Sequence, residues 1–189
     1  MSMTSQAKVP FMDRVKQVAF WIVLVGVGLL VGFYILAPRS AKAQDGYVPR
    51  AVVEMPAGVV FFTNPDATST LLPVRLAETT DARRIGLREV GPTALDTLFL
   101  VYVHPRELTR GTYNIEGIRA PLELAVIDAE GKVVAIQRVA PDARTVTVTE
   151  RHRWVLAAKE GMFAHYGIAV DSILDTENIR KMEFVVAGG

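Results

Sequence analysis

Leu122–Val139 reads LELAVIDAEGKVVAIQRV, and this stretch decides the fold class. Leu122–Ile127 is an apolar run of strand length, Asp128-Ala129-Glu130-Gly131 is a turn, and Lys132–Val139 returns with Val133, Ala135 and Gln137 in alternation. Two such runs joined by a short glycine-containing link form an antiparallel hairpin. Working outward, Thr145–Val148 alternates threonine with valine, and β-branched side chains suit a pleated, half-buried surface. Arg153–Ala157 follows as a further strand. Upstream, Val52–Met55, Val59–Thr63, Leu71–Ala77, Leu98–Val103 and Thr112–Ile115 are of strand length, and Ile173–Leu174 and Met182–Val186 complete the set downstream. Helix signals are few. Thr79-Thr80-Asp81 offers capping oxygens for a short helix that runs to about Glu89 before Gly91-Pro92, and Gly161–Tyr166 forms a second, closed by Gly167. The pattern predicts a mainly β domain, a β-sandwich or barrel with one or two short helices.

The N-terminal part differs in kind. Val18–Ala37 (VAFWIVLVGVGLLVGFYILA) runs twenty residues without a charge. As a helix it is about 30 Å long, the thickness of a bilayer's hydrocarbon core. Trp21 lies near one end and Phe33 and Tyr34 near the other, as interfacial rings do. The expected organisation is a cytoplasmic tail over 1–17, a transmembrane helix over 18–37, a Pro- and Gly-containing linker over 38–50, and an exported β domain over 51–189. A cleavable signal peptide is the rival reading, because Ala41-Lys42-Ala43 has the small-x-small pattern of a cleavage site. Signal h-regions run about 7–15 residues, so the length favours a retained anchor. The basic residues flanking the segment nearly balance. The short basic tail favours an N-terminus inside, with the domain on the periplasmic or extracytoplasmic face of the cell membrane. Gly28 and Gly32 form a small-xxx-small pair, a candidate face for packing against another membrane helix.

Charge narrows the function classes. Residues 1–44 carry five basic groups and one acidic group, while 45–189 carry 16 basic and 19 acidic groups. The folded part has no basic excess, which counts against nucleic-acid binding. The chain has no cysteine, so disulfides, thiolate metal sites and cysteine nucleophiles are excluded.

A set of short motifs, taken in order, resembles the DUF192 (UPF0127) family. The matching pieces are Thr79 with Arg83, Arg84, Gly86 and Leu87; Leu98–Tyr102; Pro121-Leu122-Glu123-Leu124; Ile127-Asp128 with Gly131 and Ile136; Trp154-Val155-Leu156; and Gly161 with Gly167-Ile168. They span about residues 71–175. The resemblance implies a compact, sandwich-like β domain, commonly exported or membrane-anchored, and little about chemistry. The sequence departs from the family pattern where that pattern is densest. Arg88 follows Gly86-Leu87 in place of methionine, Asp96-Thr97 precede Leu98-Phe99, Tyr113-Asn114-Ile115-Glu116-Gly117 replaces a W-M-K-N-T run, and Glu123 stands for aspartate.

Candidate chemistry is sparse. Tyr113, Glu116 and Glu123 are the side chains expected to line a ligand pocket, although Glu123, between Leu122 and Leu124, also fits an outward-facing strand position. Arg83, Arg84 and Arg88 form a candidate basic contact face on the first short helix, suited to an acidic partner or lipid headgroups. His104, His152 and His165 lack any zinc-ligand spacing. Ser69 and Ser172 lie in no G-x-S-x-G elbow, and no motif for a metal or cofactor is present. Three functions from different classes follow. The first is a non-catalytic, membrane-anchored accessory subunit that docks through its β domain on the integral membrane proteins of a larger complex. The second is a periplasmic module binding a small ligand or polymer. The third is a hydrolase.

Overall fold

The computed structural model describes residues 46–181. The apolar segment 18–37 with Gly28 and Gly32, and the expected strand Met182–Val186, lie outside these residues. Among the described residues no helix is long and apolar enough to cross a membrane.

Among the described residues, ten strands and three short helices make up the domain. The strands are β1 (Ala57–Thr63), β2 (Ser69–Ala77), β3 (Leu100–Leu108), β4 (Gly111–Asn114), β5 (Leu122–Ile127), β6 (Val133–Val139), β7 (Thr145–Val148), β8 (His152–Lys159), β9 (Ile173–Leu174) and β10 (Arg180–Lys181). The helices are α1 (Arg50–Val53), α2 (Thr80–Ile85) and α3 (Met162–His165), with a 3₁₀ turn at Ala94–Asp96. The main sheet has the order β10-β1-β2-β3-β8-β5-β6, with β9 also on β1, while β4 and β7 pair as a separate ribbon. The β5–β6 hairpin forms as its sequence predicts, with Leu122 opposite Val139 and Ile127 opposite Val133. One join is parallel: β2 meets β3 with Arg75 opposite Leu100 and Ala77 opposite Tyr102, and α2 and the 3₁₀ turn lie on the crossover.

Side-chain alternation along the central strands builds two apolar layers. On one face, Leu100 and Tyr102 (β3), Leu122, Leu124 and Val126 (β5), and Val155 and Ala157 (β8) pack with Val52, Leu87, Leu95 and Ile115, and with Tyr113, Val146 and Val148 of the β4–β7 ribbon. On the other, Val101, Ala125, Ile127, Trp154 and Leu156 pack against Val60, Phe62, Leu72 and Val74 of β1 and β2 and against Phe163 and Ile168. Each fully buried aliphatic or aromatic side chain contributes about 1.5–3 kcal/mol by leaving water. The result is sandwich-like and mainly β.

Three expectations are corrected. Val52–Met55 is not a strand: Arg50–Val53 is a helical turn stapled by an Arg50–Glu54 ion pair of 2.6 Å. The first helix stops at Ile85 rather than near Glu89, because Gly86 at φ 54° turns the chain. Glu123 does not face solvent. All six residues of β5 are buried, since the strand lies between β8 and β6 with both its faces covered.

Candidate functional site

A concavity lies where α2, the end of β3 and the start of β4 converge. It is an open cavity of about 390 Å³, lined by Thr80, Arg83, Arg84, His104, Arg110 and Asn114 and floored by Tyr113. Helix α2 is set by Thr79, whose hydroxyl accepts from the Ala82 amide at 3.1 Å. That start aims Arg83 back across the β2–α2 junction. Its guanidinium donates to the Val103 carbonyl at 2.9 Å, to the Glu78 carbonyl, and to the Thr80 hydroxyl at 3.2 Å. The Val103 carbonyl is at hand because the β3–β8 ladder slips between Val103 and Leu108. Such irregularities re-aim side chains beside sites, and His104 is the next residue.

A hydrogen-bonded chain runs from His104 into the core. His104 Nε2 lies 2.9 Å from the Tyr113 hydroxyl, and the same hydroxyl lies 2.7 Å from His152 Nε2. His152, fully buried, places Nδ1 2.7 Å from the Glu150 carbonyl. Gly111 leaves room for the junction, because a Cβ there would stand 2.9 Å from both His152 Nε2 and the Tyr113 hydroxyl. Burial, then His152, then Arg83 together hold the His104 imidazole well below its ordinary proton affinity, at about 4. Burial pushes the Tyr113 phenol up, with Tyr102 adding to the effect. Tyr102 packs edge-on against Tyr113 at 4.7 Å, and its fully buried hydroxyl makes no well-formed hydrogen bond among the described residues, the Leu87 backbone amide approaching it with poor geometry.

The electrostatic balance of the cavity is one-sided: three arginines line it and no carboxylate does. Arg84 has Asp81 at 3.3 Å, both largely exposed. Among the described residues neither Arg83 nor Arg110 enters an ion pair. The Asn114 carbonyl oxygen accepts from the Glu116 amide at 3.0 Å, which leaves its NH₂ for other partners.

The expected site residues divide. Tyr113, Arg83 and Arg84 come together here. Arg88 does not join them, because α2 has already ended, and it pairs instead with Glu116 at 3.4 Å away from the lining. Glu123 lies on the opposite face of the sheet, where Oε1 accepts from the Phe163 amide at 2.6 Å and so holds the first turn of α3. His104, His152 and Arg110 were not singled out for a role. Linear spacing gives no sign of them, since the contact needs both the β3–β8 slip and the β4–β7 ribbon. His165 lies elsewhere, against Tyr166. Among the described residues no three His, Cys, Asp or Glu side chains gather in a metal-holding group.

Residues 61–176 match the profile of the family DUF192, described as an uncharacterised conserved region. This chain belongs to the DUF192 family. No curated protein matches it. Among solved structures, a proposed transcription regulator from Sinorhizobium meliloti 1021 is similar at 17% identity and a TM-score of 0.57, over 64% of this chain and 94% of that one. A protein of unknown function from Novosphingobium aromaticivorans DSM 12444 is similar at 18% identity and a TM-score of 0.55, over 71% and 96%. At these identities the likeness concerns the fold alone. Several DUF192 motif positions are structural here. A Cβ on Gly86 would meet the Tyr102 hydroxyl at 2.5 Å, and one on Gly131 would meet the Leu174 carbonyl at 2.4 Å. Beside Gly167, buried Asn64 donates to Thr68, Thr70 and the Tyr166 carbonyl and accepts from Ser172, tying the β1–β2 turn to the loop before β9.

Proposed function

We propose that this DUF192 domain is a binding module for a small anionic ligand, held on the outer side of a membrane by the apolar segment 18–37. The observation that carries the binding reading is the cavity lined by Arg83, Arg84 and Arg110 without a carboxylate. Guanidinium groups recognise carboxylates and phosphates through paired, directional donors, and a partly enclosed site strengthens each contact relative to open water. Arg83 is held by two carbonyls and a hydroxyl, so little rotamer freedom is left to lose on binding. Binding is favoured over acid–base turnover because His104, at about 4, is a poor base at neutral pH. The anchor rests on the uncharged twenty-residue run and its aromatic ends.

Titration of the full-length chain in mild detergent with propionate and with inorganic phosphate tests the binding reading. Saturable binding is expected, weakened about tenfold by Arg110→Ala, the loss of one charge-assisted contact. Absence of saturation by either anion up to about 10 mM, where even weak affinities of this class register, refutes it. Alkaline extraction and protease protection of native membranes test the anchor: release by carbonate, or a domain shielded on the cytoplasmic side, refutes it.

The accessory-subunit reading has an observation of its own. On the outer face of β1 and β2, Phe61 stands opposite Leu71 and Val59 opposite Pro73, and Ile173 of β9 pairs with Thr63. Leu71 is 55% and Ile173 42% exposed. Contiguous apolar strips of this kind suit protein contacts. Leu71→Lys is expected to abolish co-purification with integral membrane proteins if the strip docks, and unchanged co-purification rejects it.

A further inference from the structure

Resting on the anion-binding reading, we propose that the cavity selects a 2-hydroxy carboxylate, with the arginines taking the carboxylate and His104 Nδ1 accepting a hydrogen bond from the hydroxyl. Hydrogen-bond direction along the chain settles which ring nitrogens carry protons. The Glu150 carbonyl can only accept, so His152 Nδ1, 2.7 Å away, carries that ring's proton. His152 Nε2 is then a bare lone pair, and the Tyr113 hydroxyl at 2.7 Å donates its single proton to it. With that proton committed, the Tyr113 oxygen accepts from His104 Nε2–H at 2.9 Å. His104 Nδ1 is left as an unprotonated acceptor. It has no hydrogen bond among the described residues, and His104 lines the cavity, so this nitrogen is the acceptor we assign to the ligand hydroxyl.

The other polar side chains of the lining make this acceptor distinctive. Arg83, Arg84 and Arg110 only donate, the Asn114 side-chain oxygen has one of its two lone pairs taken by the Glu116 amide, and the hydroxyls of Thr80 and Thr112 can serve either way. His104 Nδ1 is the side-chain acceptor of the lining that has no hydrogen bond among the described residues. A plain carboxylate satisfies the donors and displaces water from this nitrogen without replacing its hydrogen bond, and an unpaired polar group at a closed contact costs affinity. A hydroxyl next to the carboxylate repairs the loss by donating to Nδ1, while its own lone pairs remain open to an arginine. Sites built to hydrogen-bond a hydroxyl reject the analogue lacking it far more strongly than apolar pockets reject a missing methylene.

The test uses a minimal pair on the full-length chain in detergent at neutral pH: D- and L-lactate against propionate, followed by ¹H–¹⁵N shifts of the arginine and imidazole nitrogens. One lactate enantiomer is expected to bind about tenfold more tightly than propionate, the discrimination of one partly exposed hydrogen bond. In His104→Phe the lactate-to-propionate ratio should fall to near one, whatever the change in either affinity alone, and the wild-type His104 Nδ1 resonance should move with lactate and not with propionate. Equal affinities for lactate and propionate, or a preference that survives His104→Phe, overturn hydroxyl selection and leave the anion site standing. Binding of neither acid nor of phosphate overturns both.

Discussion

Burial of His104 couples the stability of the domain to pH. In the folded chain its imidazole protonates at about 4 against an ordinary 6.5, chiefly through burial, then through His152 and Arg83. Unfolding restores the ordinary value, so between these limits the unfolded chain binds more protons, and stability rises with pH. His104 therefore costs nothing above about pH 6.5, and it destabilises progressively as pH falls toward 4. One pH unit of displacement corresponds to about 1.4 kcal/mol, a ceiling of roughly 3 kcal/mol here, and solvent screening of a half-buried ring reduces this to about 1.5 kcal/mol. The perturbation is His104→Gln, which retains an amide donor toward Tyr113 and cannot titrate. Urea unfolding of both full-length chains at intervals from pH 7 to pH 4 isolates the effect, because every other titrating group is common to the pair. The variant should gain about 1.5 kcal/mol relative to wild type over that range. A stability difference that stays constant from pH 7 to pH 4 refutes the assignment of a buried, proton-poor His104.

Other expectations concern the supports of the site and of the fold. Gly111→Ala places a methyl 2.9 Å from both His152 Nε2 and the Tyr113 hydroxyl, so it should cost about 1–3 kcal/mol. It should also erase the NMR signature of paired tautomers, Nδ1–H on His152 and Nε2–H on His104, and a variant with both intact contradicts the packing. Glu123→Ala leaves the Phe163 amide without its buried acceptor and should lower unfolding free energy by about 2–3 kcal/mol, with Glu123→Gln milder. Equal, negligible losses in denaturant titration would show that α3 does not depend on it. Tyr102→Phe removes a fully buried hydroxyl that no well-formed hydrogen bond satisfies, the Leu87 backbone amide approaching it with poor geometry, and should be neutral or stabilising by up to about 1 kcal/mol. A clear loss of melting temperature would reveal a hidden bond.

Where the sequence was legible, a local cause was at work. Leu122–Val139 pairs as its turn and alternation dictate, and Thr145–Val148 and Ile173–Leu174 are strands with the expected bounds. The failures have non-local causes. Four apolar residues after Pro49 have no period of their own, so Val52–Met55 could not be told from a helical turn. Glu123 was assigned a solvent face by alternation, a rule that holds only when one side of a strand is wet, and β5 has β8 and β6 beside it and a layer on each side. Arg88 was placed with Arg83 and Arg84 by helical spacing, and Gly86 ended the helix first. Half of the candidate site, cavity and buried support together, was therefore visible, in Tyr113, Arg83 and Arg84. The other half, His104, His152 and Arg110, depends on a slip in the β3–β8 register that no single strand's sequence reports.

The parallel join of β2 to β3 carries a kinetic consequence. Antiparallel neighbours such as β5 and β6 can zip from their turn, whereas β3 reaches β2 only after the intervening stretch 78–99 has closed into a loop. That closure is entropically costly and precedes any reward from the contacts it permits. The crossover supplies Arg83, and the strand it delivers supplies Val103 and His104, so the cavity exists only once the slowest class of pairing has occurred. A ligand held there has nothing to grip in partly assembled chains. It should leave the refolding rate unchanged and slow unfolding alone, acting as a latch on the finished sheet rather than as a template for it.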